Sequence, residues 1–401
     1  MMERRFQVLP LEGIVSFKTG KLNSNAAKPD GTFPFFTCSQ ETYRTDSWSF
    51  DGEYVLLAGN NAAGIYPLKY FNGKFDAYQR TYAIRSIDQK KLFTRYVYYA
   101  LRLQLELMKS ISTGVATKFL TLTMLNRTQV PVPLLATQRK IAAILSAYDD
   151  LIENNLRRIK ILEEMAQNLY REWFVKFRFS GHQHARFTDS SLGRIPEEWE
   201  VKIMPDAVTI RPALPVPKNE QVPFVSMGSL SETSMLINET EFRPKASGAR
   251  FQNGDTLFAR ITPCLENSKT GFVQFLPTSD TVACGSTEFI VLRSKTVCPE
   301  YVYLMARSDL FRDNAIKSMS GATGRQRVRE ECFDQFLLAQ PPDAILERFQ
   351  MATRPQFEMI HSLNRRNQNL RRTRDLLLPK LISGEVDVSA LDITIPEEAE
   401  A

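Results

Sequence analysis

The sequence predicts an α+β protein in which two mixed α/β domains are separated by two long antiparallel coiled-coil helices, with a pseudo-twofold internal repeat. Three observations predict this fold. Matching segments recur in the same order about 200 residues apart. Each copy ends in a long stretch of apolar residues at alternating spacings of three and four. The rest of each copy holds short apolar runs bounded by Gly, Asn, Asp and Pro.

The repeat begins with Phe6-Gln7-Val8 in the first copy and with Trp199-Glu200-Val201 in the second. Further segments match at offsets of 202, 205 and 208 residues: Gly52-Glu53-Tyr54-Val55-Leu56 with Gly254-Asp255-Thr256-Leu257-Phe258, Arg95-Tyr96-Val97-Tyr98 with Glu300-Tyr301-Val302-Tyr303, and Lys109-Ser110-Ile111-Ser112 with Lys317-Ser318-Met319-Ser320. Because the order is kept, we interpret the chain as a colinear duplication.

The first part of each copy predicts short strands and a short helix. The predicted strands are Glu53 to Ala58, Gln79 to Ile84, Thr256 to Arg260 and Ser286 to Leu292. The predicted helices are Tyr96 to Leu107 and Tyr301 to Phe311.

The second part of each copy predicts a long helix. Residues 134–180 contain no Gly or Pro, and a helix from Gln138 to Lys176 would be roughly 58 Å long. In the second copy we expect Pro355 to break or kink the helix, and Asn367 and Arg374 interrupt its apolar pattern. The residues predicted to form the helix–helix seam are Ile152, Leu156, Ile159, Leu162 and Leu169 in the first helix and Ile360, Leu363, Leu370 and Leu377 in the second.

Two equivalent helices in one chain pair most simply about a pseudo-twofold axis, which makes them antiparallel. The alternative is that each is a long core helix of its own domain. The predicted boundaries are 1–137 for the first domain, 138–180 for the first helical spacer, 181–342 for the second domain, 343–386 for the second spacer and 387–401 for an acidic tail.

Composition narrows the class of protein. A net charge of +6 is compatible with an anionic partner such as nucleic acid. No apolar segment follows the first charged residues and no run reaches about 18 apolar residues, so we expect a cytoplasmic protein. Five scattered cysteines argue against a disulfide framework.

Motifs for catalysis are incomplete. Thr19-Gly20-Lys21-Leu22 lacks the hydroxyl of a phosphate-binding loop, and the three histidines have no metal-site spacing. Pro341-Pro342 follows Gln340, where adenine methyltransferases carry Asn or Asp. Glu200-Val201-Lys202 has no Pro-Asp within the preceding thirty residues, as a nuclease site would need. We therefore predict no catalytic residues, no metal and no cofactor in this chain, and a binding function instead.

A polar loop near the end of each first part is the candidate DNA-binding element. The candidate residues are Thr113 and Lys118 in the first loop and Ser320, Thr323, Arg325, Gln326 and Arg327 in the second, with Asn60, Asn61 and Arg260 on turns after equivalent strands. Small residues let the backbone approach a phosphate, and Arg and Gln match guanine and adenine edges in the major groove. The alternatives are a solvated basic loop and ordinary turn capping.

Several longer motifs resemble one family. The run from Pro131 through Gln138-Arg139-Lys140-Ile141-Ala142 to Trp173-Phe174 is similar to the central conserved region of the specificity subunit of type I restriction-modification systems. Asn369-Leu370 through Leu378-Pro379-Lys380-Leu381 to Ser383-Gly384-Glu385-Val386 resembles its C-terminal region, and Gly193-x-Ile195-Pro196-x-x-Trp199 resembles the start of its second target-recognition domain.

The resemblance implies a non-catalytic, sequence-specific DNA-binding subunit that reads a bipartite asymmetric target. It implies docking to two modification (methyltransferase) subunits, which carry S-adenosylmethionine, and two restriction (endonuclease/translocase) subunits, which use ATP and Mg. Two other classes of protein compete with this interpretation: a stand-alone DNA enzyme, and a helical scaffold or adaptor without DNA specificity. If the helices set the spacer between the half-sites, an insertion of four residues near Asn154 should lengthen that spacer.

Overall fold

The computed structural model describes residues 6–60, 66–111, 119–216, 221–238, 240–245, 247–322 and 324–393. The chain divides into two compact units, Met1–Ile152 with Gln368–Ala401 (unit 1) and Glu153–Asn367 (unit 2). Each unit therefore contains one mixed α/β part and one portion of each of the two long helices. Among the described residues, no helix combines the length and apolar character needed to cross a membrane.

Unit 1 is built on three small sheets. Its elements are β1 Gln7–Pro10, β2 Val15–Thr19, β3 Phe33–Phe36, β4 Thr42–Thr45, β5 Glu53–Ala58, β6 Leu68–Asn72, β7 Asp76–Ala77, β8 Thr81–Ser86, α1 Thr94–Ile111, α2 Leu122–Arg127, β9 Gln129–Val132 and the start of α3 Leu135–Tyr170. The sheets have the orders β2-β8-β5-β6, β4-β3-β7 and β1-β9. Helix α1 packs on β5 through an apolar core that includes Tyr96 and Tyr99.

Unit 2 continues from α3 through a π-helical turn at Arg171–Val175. Its further elements are β10 Phe187–Ser190, β11 Gly193–Pro196, β12 Glu200–Ile203, α4 Met204–Ala207, β13 Val208–Ile210, β14 Val222–Val225, β15 Glu241–Arg243, β16 Ala249–Phe251, β17 Thr256–Ala259, β18 Thr270–Phe272, β19 Ala283–Gly285, β20 Phe289–Ser294, α5 Pro299–Arg307, α6 Asp309–Lys317, β21 Leu337–Gln340 and α7 Asp343–Ser383, which ends in unit 1. The sheets have the orders β13-β20-β17-β18, β15-β14-β19-β16, β12-β21 and β10-β11.

The strand orders of the two units correspond. Strands β2-β8-β5-β6 of unit 1 occupy the sequence positions that β13-β20-β17-β18 occupy in unit 2, and both sheets are antiparallel. The second sheet of each unit is mixed, since β3 pairs with β7 in parallel and β14 pairs with β19 in parallel. The outer pairs β1-β9 and β12-β21 also match.

The structure has two helices where the sequence predicts one, in the region after β20. The expected helix Tyr301 to Phe311 is wrong, because α5 ends at Arg307 and α6 begins at Asp309. Ser308 between them has an extended backbone, and its hydroxyl accepts a hydrogen bond from the Phe311 N–H as the N-cap of α6. A side chain that caps a new helix competes with continuation of the old one.

The buried face of α3 differs from the predicted seam at one position. Leu156 is 43% exposed, whereas Asn155 is 8% exposed. In unit 2 the Asn155 Nδ2 donates to the Asn367 Oδ1 at 2.8 Å. The spacing of three and four from Ile152 falls on Asn155, then on Ile159. The apolar Leu156 was therefore the wrong choice, because a satisfied polar pair fills the buried position.

Of the break or kink expected at Pro355, helix α7 shows no break. The helix is continuous from Asp343 to Ser383. Pro355 and Met351, whose carbonyl loses its helical donor, are both exposed, so water can reach the freed acceptor. Asn367 and Arg374, predicted to interrupt the pattern, lie at buried positions of the same face.

Contacts between α3 and α7 progress in opposite directions along the two helices. In unit 2, Asn155 contacts Asn367, and eighteen residues later Trp173 packs on Phe349, eighteen residues earlier in α7. In unit 1, the Arg374 guanidinium pairs with the Asp149 carboxylate. Of the other predicted seam residues, Ile152, Ile159, Ile360 and Leu363 are buried, and Leu162, Leu169, Leu370 and Leu377 are half-buried.

Candidate nucleic-acid interface

The loop from Ser320 to Arg329 in unit 2 is a closed turn. Ser320 and Arg327 exchange two backbone hydrogen bonds, at 3.0 and 2.9 Å. Gly321 and Gly324 have φ angles of 126° and 78°, which L side chains rarely adopt. The glycines that the sequence pattern singled out therefore shape the loop.

Backbone hydrogen bonds attach this loop to the turn after β17. The Val328 N–H donates to the Arg260 carbonyl at 2.8 Å, and the Thr262 N–H donates to the Gln326 carbonyl at 3.1 Å. The Gln326 N–H in turn donates to the Thr262 Oγ1 at 3.1 Å. The structure thus brings together Arg260 and the Arg325-Gln326-Arg327 segment, which are about 65 residues apart in sequence.

A chain of ion pairs crosses the base of the loop. Arg327 binds the Glu288 carboxylate through both Nε and Nη2, with Nη2 at 2.8 Å from Oε1. The Arg260 Nε lies 3.2 Å from Glu288 and its Nη1 lies 2.9 Å from Glu330. Arg211 also pairs with Glu330. The hydrogen bond from Arg327 is the main reason that the pKa of Glu288 lies below its ordinary value.

These pairs divide the predicted DNA-binding residues into two kinds. Arg327 and Arg260 are held by carboxylates, which occupy part of their hydrogen-bonding capacity. Arg325 is exposed, and the described residues give its side chain no carboxylate partner. Gln326 is half-buried, and its backbone is held by Thr262. Arg325 is therefore the candidate most available to an approaching base or phosphate.

A cleft of about 540 Å³ adjoins this cluster. Arg211, Arg250 and Arg260 line it, beside the backbone of Gly248 and Ala249. A Cβ on Gly248 would lie 1.9 Å from the Gly285 carbonyl oxygen, so only glycine fits there. Arg211 and Arg260 pair with Glu330, and the Arg250 Nη1 donates to the Leu214 carbonyl, so all three guanidinium groups have partners within unit 2.

In unit 1, the residues just after the candidate loop make corresponding contacts. The Leu120 N–H donates to the Gly59 carbonyl at 2.9 Å, and Asn60 forms a β-bridge with Phe119. The Tyr82 hydroxyl donates to the Leu120 carbonyl at 3.0 Å. Asn60 therefore lies beside Phe119, which follows the first candidate loop in sequence. Thr113, Lys118 and Asn61, and Thr323 in unit 2, lie outside the described residues.

Sequence reasoning missed four residues of this site: Arg211, Arg250, Glu288 and Glu330. Glu288 precedes β20 and meets Arg327 across 39 residues, a pairing that no local pattern indicates. Arg211 has a φ of 50°, a left-handed conformation that is uncommon for a non-glycine residue and carries no sequence signal. Within the part of the chain that the structure describes, no cluster of three His, Cys, Asp or Glu side chains could hold a metal ion.

We expect Glu288→Gln to lower the free energy of unfolding by about 1 kcal/mol or less at neutral pH, because Arg327 is 45% exposed and solvent screens the pair. The folded-state pKa of Glu288 is lowered, so the pair's contribution is present above the ordinary Glu pKa and is lost as pH falls through the lowered value. Urea titrations at neutral and acidic pH measure the difference. A difference that grows on acidification would contradict the pairing.

The family model described as type I restriction modification DNA specificity domain matches residues 3–164. The chain is 26% identical over 318 residues to the MjaIX specificity subunit of a type I restriction enzyme from Methanocaldococcus jannaschii, which covers 76% of this chain and 72% of that one. It is 31% identical over 176 residues to the EcoDI specificity subunit from Escherichia coli, covering 44% and 38%.

A solved structure agrees in fold. The crystal structure of the type I restriction-modification S subunit from M. genitalium superposes over 98% of both chains with a TM-score of 0.58 at 14% sequence identity. At this identity the likeness establishes the fold alone. In sequence, residues 3–164 match the type I restriction modification DNA specificity domain, and most of the chain is similar to the MjaIX specificity subunit.

Proposed function

We propose that this chain is the DNA-specificity subunit of a type I restriction-modification complex and that it reads a bipartite, asymmetric target. One observation carries the proposal: in both units, described residues at or just after the candidate loop hydrogen-bond to the turn that follows an equivalent strand, and the side chains at that turn differ. The carbonyl of Gly59 accepts from Leu120 in unit 1, and the carbonyl of Arg260 accepts from Val328 in unit 2. One backbone arrangement with two sets of side chains suits two different half-sites.

The proposed architecture has target-recognition domains at 1–137 and 181–342, helical spacers at 138–180 and 343–386, and a tail at 387–401. The corresponding strand orders of units 1 and 2 support an internal repeat, which we propose is pseudo-twofold. The opposite progression of the α3 and α7 contacts supports an antiparallel coiled coil. Such a coil would act as the spacer between the two readers.

The proposed partners are double-stranded DNA, two modification subunits and two restriction subunits. Two equivalent helical surfaces offer two equivalent docking sites, which suits two copies of each partner. The chain itself supplies no catalytic residue. S-adenosylmethionine, ATP and Mg act in the partner subunits, which carry out methylation and cleavage.

Selection of bound sequences from a random DNA pool tests this function. The chain, combined with its modification subunit, should enrich two different specific blocks separated by a fixed number of unspecified base pairs. Enrichment of a single block, or of a palindrome, would contradict the asymmetric bipartite target. Binding without any enrichment, or no binding, would indicate the adaptor class instead.

The spacer prediction follows from the paired helices. Because Asn155 pairs with Asn367, an insertion near Asn154 in α3 alone, as the sequence suggested, would also shift α3 against α7. We instead expect seven residues inserted after Asn154, with seven more after Asn367, to keep the buried face in register. The added length is about 10 Å, and at about 3.4 Å per base pair the preferred spacer should grow by about three base pairs.

The same sequence selection measures that result. Both half-sites should stay unchanged, because the insertions lie outside the recognition loops. A variant with the insertion in α3 alone is the control, and it should lose stability rather than change the spacer cleanly. An unchanged spacer in the doubly extended chain would refute the ruler role of the helices.

A further inference from the structure

The long helices are equivalent in sequence, so each has two candidate partners. At an offset of 208 residues, Ile152 matches Ile360 and Leu169 matches Leu377. Helix α3 could therefore pair with α7 of its own chain or with α3 of a second copy. The apolar positions alone do not distinguish these pairings, because both helices present the same spacing.

The buried amides do distinguish them. Asn155 is 8% exposed and Asn367 is fully buried, and the two side chains hydrogen-bond at 2.8 Å. At the offset of 208, Asn367 corresponds to Ile159, and Asn155 corresponds to Leu363. If two α3 helices paired in the same register, Asn155 would lie opposite Ile159. If two α7 helices paired, Asn367 would lie opposite Leu363.

A second polar layer behaves in the same way in unit 1. The Arg374 side chain is 10% exposed and pairs with Asp149, which also accepts a hydrogen bond from the Tyr99 hydroxyl at 2.8 Å. At the same offset, Arg374 corresponds to Ala166 and Asp149 corresponds to Phe357. Pairing between identical helices would therefore place Asp149 against alanine and Arg374 against phenylalanine.

We propose that these two polar layers, Asn155 with Asn367 and Asp149 with Arg374, specify pairing of α3 with α7 and exclude pairing of either helix with its own copy. A buried amide without a partner loses its hydrogen bond to water, at a cost that corresponds to about tenfold in the equilibrium for each amide. Separation of Asp149 from Arg374 adds a smaller penalty, because Asp149 is 25% exposed and keeps Arg102 at 3.8 Å, and Arg374 keeps Asp375 at 2.9 Å. Each wrong pairing therefore separates both pairs, whereas the α3–α7 pairing makes both.

This selectivity has a consequence that rests on the proposed function. A chain whose α3 pairs with its own α7 carries two different recognition domains on one spacer, which suits an asymmetric target. Assemblies held together by identical helices would be twofold symmetric and would suit a palindrome. The polar layers are thus specificity determinants that contact no DNA.

The test exchanges each polar residue for the residue that its counterpart helix carries. One variant is Asn155→Leu with Asn367→Ile, and a second adds Asp149→Phe with Arg374→Ala. The full chain is unfolded in urea and refolded over a range of protein concentrations, and its molar mass is measured by light scattering. The unchanged chain can also form dimers in which α3 of one copy pairs with α7 of the other. The difference in dimer fraction between the variants and the unchanged chain therefore reports pairing between identical helices.

We expect the dimer fraction to rise about tenfold or more from the unchanged chain to the first variant, and to rise further, by a smaller factor, to the second. The control is Asn154→Leu with Asn369→Ile, which makes the same exchanges at exposed asparagines and should leave the mass unchanged. If the second variant fails to refold, the dimer fraction of the first variant tests the proposal.

Dimer fractions equal to that of the unchanged chain would overturn the proposal. The single variant Asn155→Leu gives an independent check, since it should destabilise the chain more than the double exchange does. Equal stability of the single variant and the unchanged chain would also overturn it. No DNA enters these measurements, so their failure is distinct from failure of the proposed DNA-reading function.

Discussion

Arg293→Met should lower the free energy of unfolding by about 3 kcal/mol, because it leaves the buried carboxylate of Asp255 without its counterion. Asp255 is 1% exposed, and Arg293 binds both of its oxygens, at 2.7 and 2.6 Å. This expected loss of unfolding free energy lies at the lower end of the range for buried ion pairs that lose one partner, because the Arg293 side chain is 28% exposed. Urea unfolding of the full chain measures it.

The pH dependence of this variant identifies the cause. Burial raises the pKa of Asp255, and Arg293 opposes that rise. Without Arg293 the folded-state pKa should rise further above the unfolded value, so stability should fall as pH increases through that interval. The deficit of the variant should therefore shrink on acidification toward the ordinary Asp pKa. A deficit independent of pH would point to lost packing instead.

A double variant also distinguishes loss of the counterion from loss of packing. Asp255→Asn with Arg293→Met removes both charges and keeps a side-chain acceptor for the Gln252 N–H, which donates to Asp255 at 2.8 Å. We expect it to recover most of the stability that Arg293→Met loses. A double variant that is no more stable than Arg293→Met would contradict the charge argument.

Arg325→Ala should weaken binding by about 1 to 3 kcal/mol and relax sequence choice in one half-site only. Arg325 is exposed on the glycine-shaped loop of unit 2, and the described part of the chain offers it no carboxylate. Its guanidinium is therefore free to bind the O6 and N7 atoms of a guanine. Sequence selection with the variant complex measures both the affinity and the specificity at each position.

Arg366→Ala is the matched control, since it removes an exposed arginine from α7 in the same unit without touching the loop. It should leave both half-sites unchanged. If Arg325→Ala weakens all sequences equally and reduces the salt dependence, the residue contacts a phosphate instead of a base. If Arg325→Ala has no effect, the loop is not part of the interface.

The sequence was sufficient for those features that local patterns encode. Strand β5 was predicted with its observed bounds, Glu53–Ala58, because a short apolar run lies between clear turn residues. The two long helices were predicted from their spacing, although α3 begins at Leu135 and passes into a π-helical turn after Tyr170. The loop at Ser320 was predicted from its glycines and arginines.

The sequence was insufficient where long-range contacts decide the outcome. Asn155 was passed over for Leu156 because nothing near Asn155 shows that Asn367 will satisfy its amide. The continuity of α7 at Pro355 depends on which face of the helix is exposed. The carboxylates of Glu288 and Glu330, which hold Arg327 and Arg260, meet them only through the fold of unit 2.

Adenine methylation across the host genome tests the central claim most directly. The measurement compares a strain that expresses the modification subunit with the same strain lacking this chain, and then with the chain restored. The account predicts that one bipartite, asymmetric motif loses its methylation on deletion and regains it on restoration. It further predicts that Arg325→Ala relaxes one half of that motif. Unchanged methylation at every motif, with the modification subunit present and active, would contradict a role in DNA specificity.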